Sequence, residues 1–203
     1  MTIRAVLLDY GGVVGRLDRQ EMARLEDKYG LPAGGFWDAL FEIPEWHEVE
    51  VGRSSEREWL RGALDKLYEL AGRPIPEIRQ DWHHIWKGID EEVVSLARKL
   101  RPRYKVGMIS NATKNLEKVL DDHHGIMELF DVVINSARVG VAKPDARIYH
   151  LAAERLGLPV CACVFTDDLV VNIEGARATG MQAFQFQGVA DMERQLRALG
   201  VEW

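Results

Sequence analysis

The sequence predicts an α/β fold, a parallel sheet covered on both faces and interrupted after its first strand by a small helical domain. Three observations lead there. Five short apolar runs, at 3–8, 105–109, 131–135, 160–165 and 182–186, mostly lack the polar/apolar alternation of half-exposed strands. Apolar residues at spacings of three and four fill gaps between the later runs, the mark of amphipathic helices. The long interval from about Leu17 to Lys87 carries further helical patterns and no convincing strand.

Taken in order, the first run leads directly into Asp9. Asp18 with Glu21 resembles a capping box that opens a helix through Met22, Leu25 and Tyr29, stopped by Gly30 and Pro32. Ser55 with Glu58 opens a second, through Trp59, Leu60, Ala63, Leu64 and Leu67, ended by Gly72 and Pro74. A third carries Ile78, Trp82, Ile85 and Trp86, and the stretch holding Trp46, His47 and Arg53 reads as non-helical. Residues 17–87 are therefore expected as a helical cap domain, and 1–16 with 88–203 as the core domain. Within the core, Val93, Leu96, Ala97 and Leu100, then Leu116, Val119 and Leu120, then Ile148, Leu151, Ala152 and Leu156 mark helices. Strand, helix, strand in succession means parallel strands. Asn172 is expected to cap the helix through Ile173 and Ala176.

Composition narrows the function classes. With 203 residues, 47% hydrophobic and 29% charged, the chain is an ordinary folded protein. Lys plus Arg is 26 against 32 for Asp plus Glu, a net charge of −6, which argues against nucleic acid as a partner. The basic run Arg98, Lys99, Arg101, Arg103 and Lys105 reads as a solvated face at a helix C-terminus. The first apolar run is too short for a signal sequence or a membrane span, so a cytoplasmic protein is expected. Cys161 and Cys163 are expected as buried reduced thiols. The adjacent histidines His83 and His84, and His123 and His124, cannot share a helix face, which weakens a zinc reading.

Ligands of open parallel sheets bind beyond the carboxyl ends of the strands. The polar residues there are Asp9, Ser110, Asn111, Lys143, Asp167 and Asp168. Carboxylates brought that close repel unless a cation sits among them, and Mg²⁺ is the natural partner of an oxygen donor set. Mg²⁺ beside a lysine suggests a phosphoryl group as the ligand, and an unhindered Asp9 is able to act as nucleophile toward it.

Four segments, AVLLDYGGVV, MISNAT, VGVAKPDARIY and FTDDLVVNIEGARATGM, resemble the four motifs of the haloacid dehalogenase superfamily, in the same order. The resemblance implies a Rossmann-like core of strand order 3-2-1-4-5 with a cap inserted after the first strand. It implies Asp9 as nucleophile, Ser110 and the amide of Asn111 as phosphate holders with Gly12 beside them, and Lys143 as the neutralising cation. Asp9, the carbonyl of Gly11, Asp167 and Asp168 would hold Mg²⁺.

The chain departs from this pattern at one position. Phosphatases resembling it carry a second Asp two residues after the nucleophile, as general acid and then base; here Gly11 stands there. Loss of such help costs about 10²- to 10⁴-fold in rate unless another group supplies the proton, His47 or a water held by the cap being candidates. The expected reading is a Mg²⁺-dependent phosphatase of a small phosphorylated metabolite, a monomer or homodimer. Trp46, His47 and Arg53 are the cap residues expected to contact substrate. The alternatives are a 2-haloacid dehalogenase using the same Asp9, and a weakened enzyme that binds a phosphorylated ligand or a partner.

Overall fold

The computed structural model describes residues 2–203. Its strands are β1 (Ala5–Leu8), β2 (Gly15–Leu17), β3 (Trp86–Ile89), β4 (Lys105–Ser110), β5 (Val132–Asn135), β6 (Cys163–Asp167) and β7 (Gln182–Gln185). The helices are α1 (Arg19–Tyr29), α2 (Gly35–Phe41), α3 (Pro44–Val49), α4 (Glu56–Ala71), α5 (Ile78–Asp81), α6 (Glu91–Leu100), α7 (Leu116–Lys118), α8 (Ser136–Val139), α9 (Ala146–Arg155), α10 (Val170–Ala178) and α11 (Val189–Ala198). The main sheet runs β5-β4-β1-β6-β7 and all its pairings are parallel. Counted among the main-sheet strands alone, this is the expected order 3-2-1-4-5.

The continuous apolar character of β1 follows from this position. All four of its residues are buried, yet alternate ones serve opposite faces. Ala5 and Leu7 pack with Ile148 and Tyr149 of α9 and with Ile173 and Ala176 of α10. Val6 and Leu8 pack with Val93, Leu96 and Leu100 of α6 and with Met192 and Leu196 of α11. Burial of each such aliphatic side chain contributes about 1.5–3 kcal/mol, so a central strand covered on both faces anchors the sheet.

The insert buries its own apolar cluster, which includes Leu25, Phe36, Leu40, Trp46, Trp59, Leu67, Ile75, Ile78 and Ile85. Its helices start where the side chains dictate. Asp18 accepts from the Glu21 amide at 2.9 Å, and Ser55 and Glu58 close a reciprocal capping box. Gly30 and Gly72 end α1 and α4 in the left-handed conformation.

Several local expectations fail for identifiable reasons. The third helix of the insert breaks after α5 into a single 3-10 turn, Trp82–Ile85, and Trp86 begins a strand. β3 pairs antiparallel with β2, a two-stranded ribbon that carries the chain out of the sheet and back. The Gly88 kink and the mixed polarity of Trp86–Ile89 hide it from a periodicity search. Trp46 and His47 lie on α3, which starts on Pro44, and not in a loop. The fourth core strand starts at Cys163, because a 3-10 turn takes Val160–Ala162, leaving Cys161 half-buried while Cys163 is buried. Asn172 lies one turn inside α10, whose first flanking residue is Leu169.

Candidate active site

β1 delivers Asp9 to the carboxyl edge of the sheet, where its amide donates to the carbonyl of Thr166 at 3.0 Å. Parallel pairing of β1 with β4 and β6 brings Ser110 and Asp167 to the same edge. The loop preceding α9 then returns Lys143 between the carboxylates. Its Nζ donates to Asp9 Oδ1 at 2.7 Å, to Asp167 Oδ2 at 2.5 Å and to the Ile109 carbonyl at 3.1 Å. Oxygens of Asp9, Asp167 and Asp168 lie within 4.8 Å of one another. Asp9, Lys143 and Asp167 are buried, so this is a charged cluster withdrawn from water.

Electrostatics expose an imbalance. Burial raises the Asp9 carboxyl above its ordinary range; Lys143 opposes this, and Asp167 and Asp168 add to it. Burial, with the repulsion of Asp167, raises Asp168 as well, despite the Arg19 guanidinium at 3.0 Å. Burial works against the Lys143 ammonium, yet Asp167 and Asp9 hold its pKa above the usual value. One buried ammonium does not neutralise three clustered carboxylates, and a hard divalent cation with oxygen ligands fits this donor set.

The four motif residues differ in how committed they are. Asp167 accepts from Lys143, from the Leu169 amide at 2.8 Å and from Asn172 Nδ2 at 3.0 and 3.1 Å, so its oxygens are largely engaged. Asp9 and Asp168 have more free oxygen. Asn172 is thus a holder of Asp167, where a helix cap was expected; its own carbonyl accepts from Tyr149 Oη at 2.7 Å. The Ser110 hydroxyl is buried and makes one long contact, 3.5 Å to the Asn111 carbonyl.

Gly12 has a different role from the expected one. Its amide donates to the Gly15 carbonyl at 2.9 Å and is therefore spent within the loop. Its φ is +77°, and a Cβ there would stand 2.6 Å from Asp168 Oδ2, so the residue leaves room for that carboxylate. Gly11 is not in the left-handed region, and a Cβ there would meet nothing closer than Asp9 Oδ2 at 3.9 Å.

The insert meets the site at several points. Arg19 of α1 reaches Asp168 while stacking over Trp37 at 4.6 Å. Gly52 (φ +76°) presses on the Ala137 carbonyl so closely that a Cβ would lie 2.2 Å from that oxygen. Its own carbonyl accepts from Lys114 Nζ at 2.9 Å, and Glu56 takes a bond from Asn115.

Of the three residues expected to touch substrate, Trp46 is buried in the core of the insert, edge-on to Phe41 at 5.1 Å and 5.0 Å from Trp59. His47 and Arg53 remain exposed, His47 Nδ1 3.2 Å from Glu50 and Arg53 3.5 Å from Glu48. Arg19 and Glu50 carry no signal in the sequence, Arg19 being one charged residue among many on a helical pattern and Glu50 lying in a stretch that reads as non-helical; only the docking of the insert shows their surroundings.

Known proteins are similar to this chain in sequence and in fold. The chain is 30% identical over 197 residues to Phosphatase MT3486 of Mycobacterium tuberculosis, covering 91% of this chain and 87% of that one. It is 24% identical over 192 residues to the (S)-2-haloacid dehalogenase of a Pseudomonas species, covering 86% and 75%. Its fold matches that of a haloacid dehalogenase family enzyme from Bacteroides thetaiotaomicron in magnesium complex, with a TM-score of 0.72, 22% identity, and 97% and 100% of the two chains covered. Residues 3–180 match the model of the haloacid dehalogenase-like hydrolases. With the motif carboxylates and lysine gathered on one sheet edge, and the match spanning most of the chain, this protein belongs to the haloacid dehalogenase-like hydrolase family.

Proposed function

We propose that the protein is a Mg²⁺-dependent phosphatase of a small phosphorylated metabolite, working through an aspartyl-phosphate. The observation that carries this reading is the clustering of Asp9, Asp167 and Asp168 around a single buried ammonium. Halide displacement from carbon by Asp9 has no use for the surplus negative charge, whereas a phosphoryl ligand with a divalent cation balances it.

Asp9, Asp168 and the carbonyl of Gly11 would hold Mg²⁺, with Asp167 beside them; when bound, the cation offsets phosphoryl charge and keeps Asp9 ionised. Asp9 is the nucleophile, and an attack through one oxygen leaves the other on its neighbours. Lys143, already bonded to Asp9, steers that carboxylate and neutralises phosphoryl oxygens. Ser110, with a hydroxyl barely engaged, and the Asn111 amide complete the phosphate cradle. His47 and Arg53 stand at the exposed side of the insert as candidates for the rest of the substrate.

The dehalogenase alternative rests on Gly11, since that reaction needs no proton donor. Release of inorganic phosphate from a panel of small phosphomonoesters, with and without Mg²⁺, run beside halide release from 2-haloacids, separates the two. Mg²⁺-dependent phosphate release that Asp9→Asn abolishes supports the phosphatase; halide release without metal overturns it.

A further inference from the structure

The phosphatase reading leaves a chemical gap, because Gly11 offers no proton to the leaving group. Two carboxylates of the insert are buried, Glu26 and Glu50. Glu26 is fully used: its two oxygens accept from the amides of Gly34 at 3.1 Å and Phe36 at 3.0 Å, tying α1 to α2. Glu50 is not. It ends α3 at 8% exposure, and its one side-chain partner within the insert is His47 Nδ1 at 3.2 Å. Across the domain junction, Asn111 and the ammonium of Lys143 act on its carboxyl, both favouring the ionised form. The segment carrying it is fixed in place, since Gly52, two residues on, is pressed on the Ala137 carbonyl and held by Lys114.

A buried carboxylate without a dedicated cation is costly to keep ionised. We infer that Glu50 is the acid–base group of this site, taking from the insert the role that Gly11 cannot fill. This rests on the phosphatase reading. As an Asp9 oxygen attacks phosphorus, the bond to the leaving oxygen breaks with its electron pair, and the Glu50 proton passes to that oxygen, releasing the alcohol. Water then attacks the aspartyl phosphorus as the Glu50 carboxylate takes its proton. The bond to Asp9 breaks, inorganic phosphate leaves, and both side chains return to their starting states.

The environment of Glu50 suits the task. Burial raises its carboxyl above the ordinary glutamate range, against the opposing influence of His47, Asn111 and Lys143, which favours the proton-carrying form an acid needs. His47, its partner at 3.2 Å, is more than half exposed, so the pair stands between the buried site and solvent.

The test compares kcat/KM on an alkyl phosphate and on p-nitrophenyl phosphate, whose leaving group departs without a donor. Glu50→Gln is expected to lower the alkyl value by about 10²-fold and the aryl value by less than about threefold. Equal losses on both, or none on either, would overturn the role of Glu50 while leaving the phosphatase reading intact. Absence of phosphate release by the wild type from both substrates would overturn that reading and the proposal together. Should the variant not fold, the wild type carries the test: the ratio of alkyl to aryl kcat/KM falls as pH rises above the ordinary glutamate range and removes the Glu50 proton, and a ratio that stays flat overturns the proposal.

Discussion

Asn111 and Lys143 grip each other through a reciprocal pair of hydrogen bonds. Asn111 Nδ2 donates to the Lys143 carbonyl at 3.0 Å, and the Lys143 amide donates to Asn111 Oδ1 at 2.8 Å. The side chain after β4 is therefore a clamp on the loop that delivers the ammonium, and only the backbone of Asn111 is left for substrate. Asn111→Ala is expected to cost about 1–2 kcal/mol in urea unfolding, the value of two modest hydrogen bonds. Its kcat is expected to fall more than its KM rises, because the lysine loses orientation more than the pocket loses contacts.

Lys143→Met leaves Asp9 and Asp167 facing each other in the interior with no cation between them. Breaking a buried pair from one side costs about 3–5 kcal/mol. The loss is expected to shrink as pH falls and the carboxylates protonate, so urea midpoints of variant and wild type converge on acidification.

Metal removal has a definite sign in pH. Asp9 is raised in the folded protein, so between the ordinary carboxylate range and neutrality the folded state binds more protons than the unfolded one. Stability from this group is present at low pH and is lost as pH rises through that window. In EDTA the urea midpoint is expected to decline over the window; with saturating Mg²⁺, which favours the ionised carboxylate, the decline is expected to flatten.

Arg19 occupies an oxygen of Asp168 that a metal would need, 3.0 Å away, with a side chain more than half exposed. Exposed pairs are worth about 0–1 kcal/mol. Arg19→Ala is expected to lower the Mg²⁺ concentration for half-maximal activity by up to about fivefold. An unchanged requirement would show that the guanidinium moves aside at no cost.

The sequence was most readable where a residue's role is set by its own segment. The buried runs around Leu7 and Phe165, and the caps Asp18 and Ser55, follow from periodicity and local hydrogen bonding, and the sheet edge that collects Asp9, Lys143 and Asp168 follows from parallel order. Residues whose roles depend on docking were not readable. Glu50 acquires its meaning from Asn111 and Lys143, and Trp46 loses its expected one by packing between Phe41 and Trp59. Asn172 looked like a cap because asparagine suits one, but its distance from Leu169 turns it toward Asp167. The ribbon of β2 and β3 pairs Gly15 with Ile89 and Leu17 with Trp86, a separation no local window contains.

Gly11 offers a direct check on the source of the proton. Its backbone lies outside the left-handed region and the space at its Cβ is open, so Gly11→Asp is expected to fold as the wild type does. Gly12, by contrast, has no such freedom, and Gly12→Ala is expected to displace Asp168 and weaken Mg²⁺ binding. If Glu50 already supplies the proton, Gly11→Asp alone gains little on alkyl phosphates, because the step it would assist is served. The same substitution placed on Glu50→Gln is expected to recover at least tenfold of the lost alkyl kcat/KM, since the new carboxyl stands two residues from the nucleophile. On p-nitrophenyl phosphate neither the loss nor the recovery is expected. The four proteins, wild type, the two single variants and the double, form a cycle whose coupling on alkyl substrates reports whether the two carboxyls serve one step. A large gain from Gly11→Asp alone, with Glu50→Gln silent, would mean that the wild type runs without a proton donor.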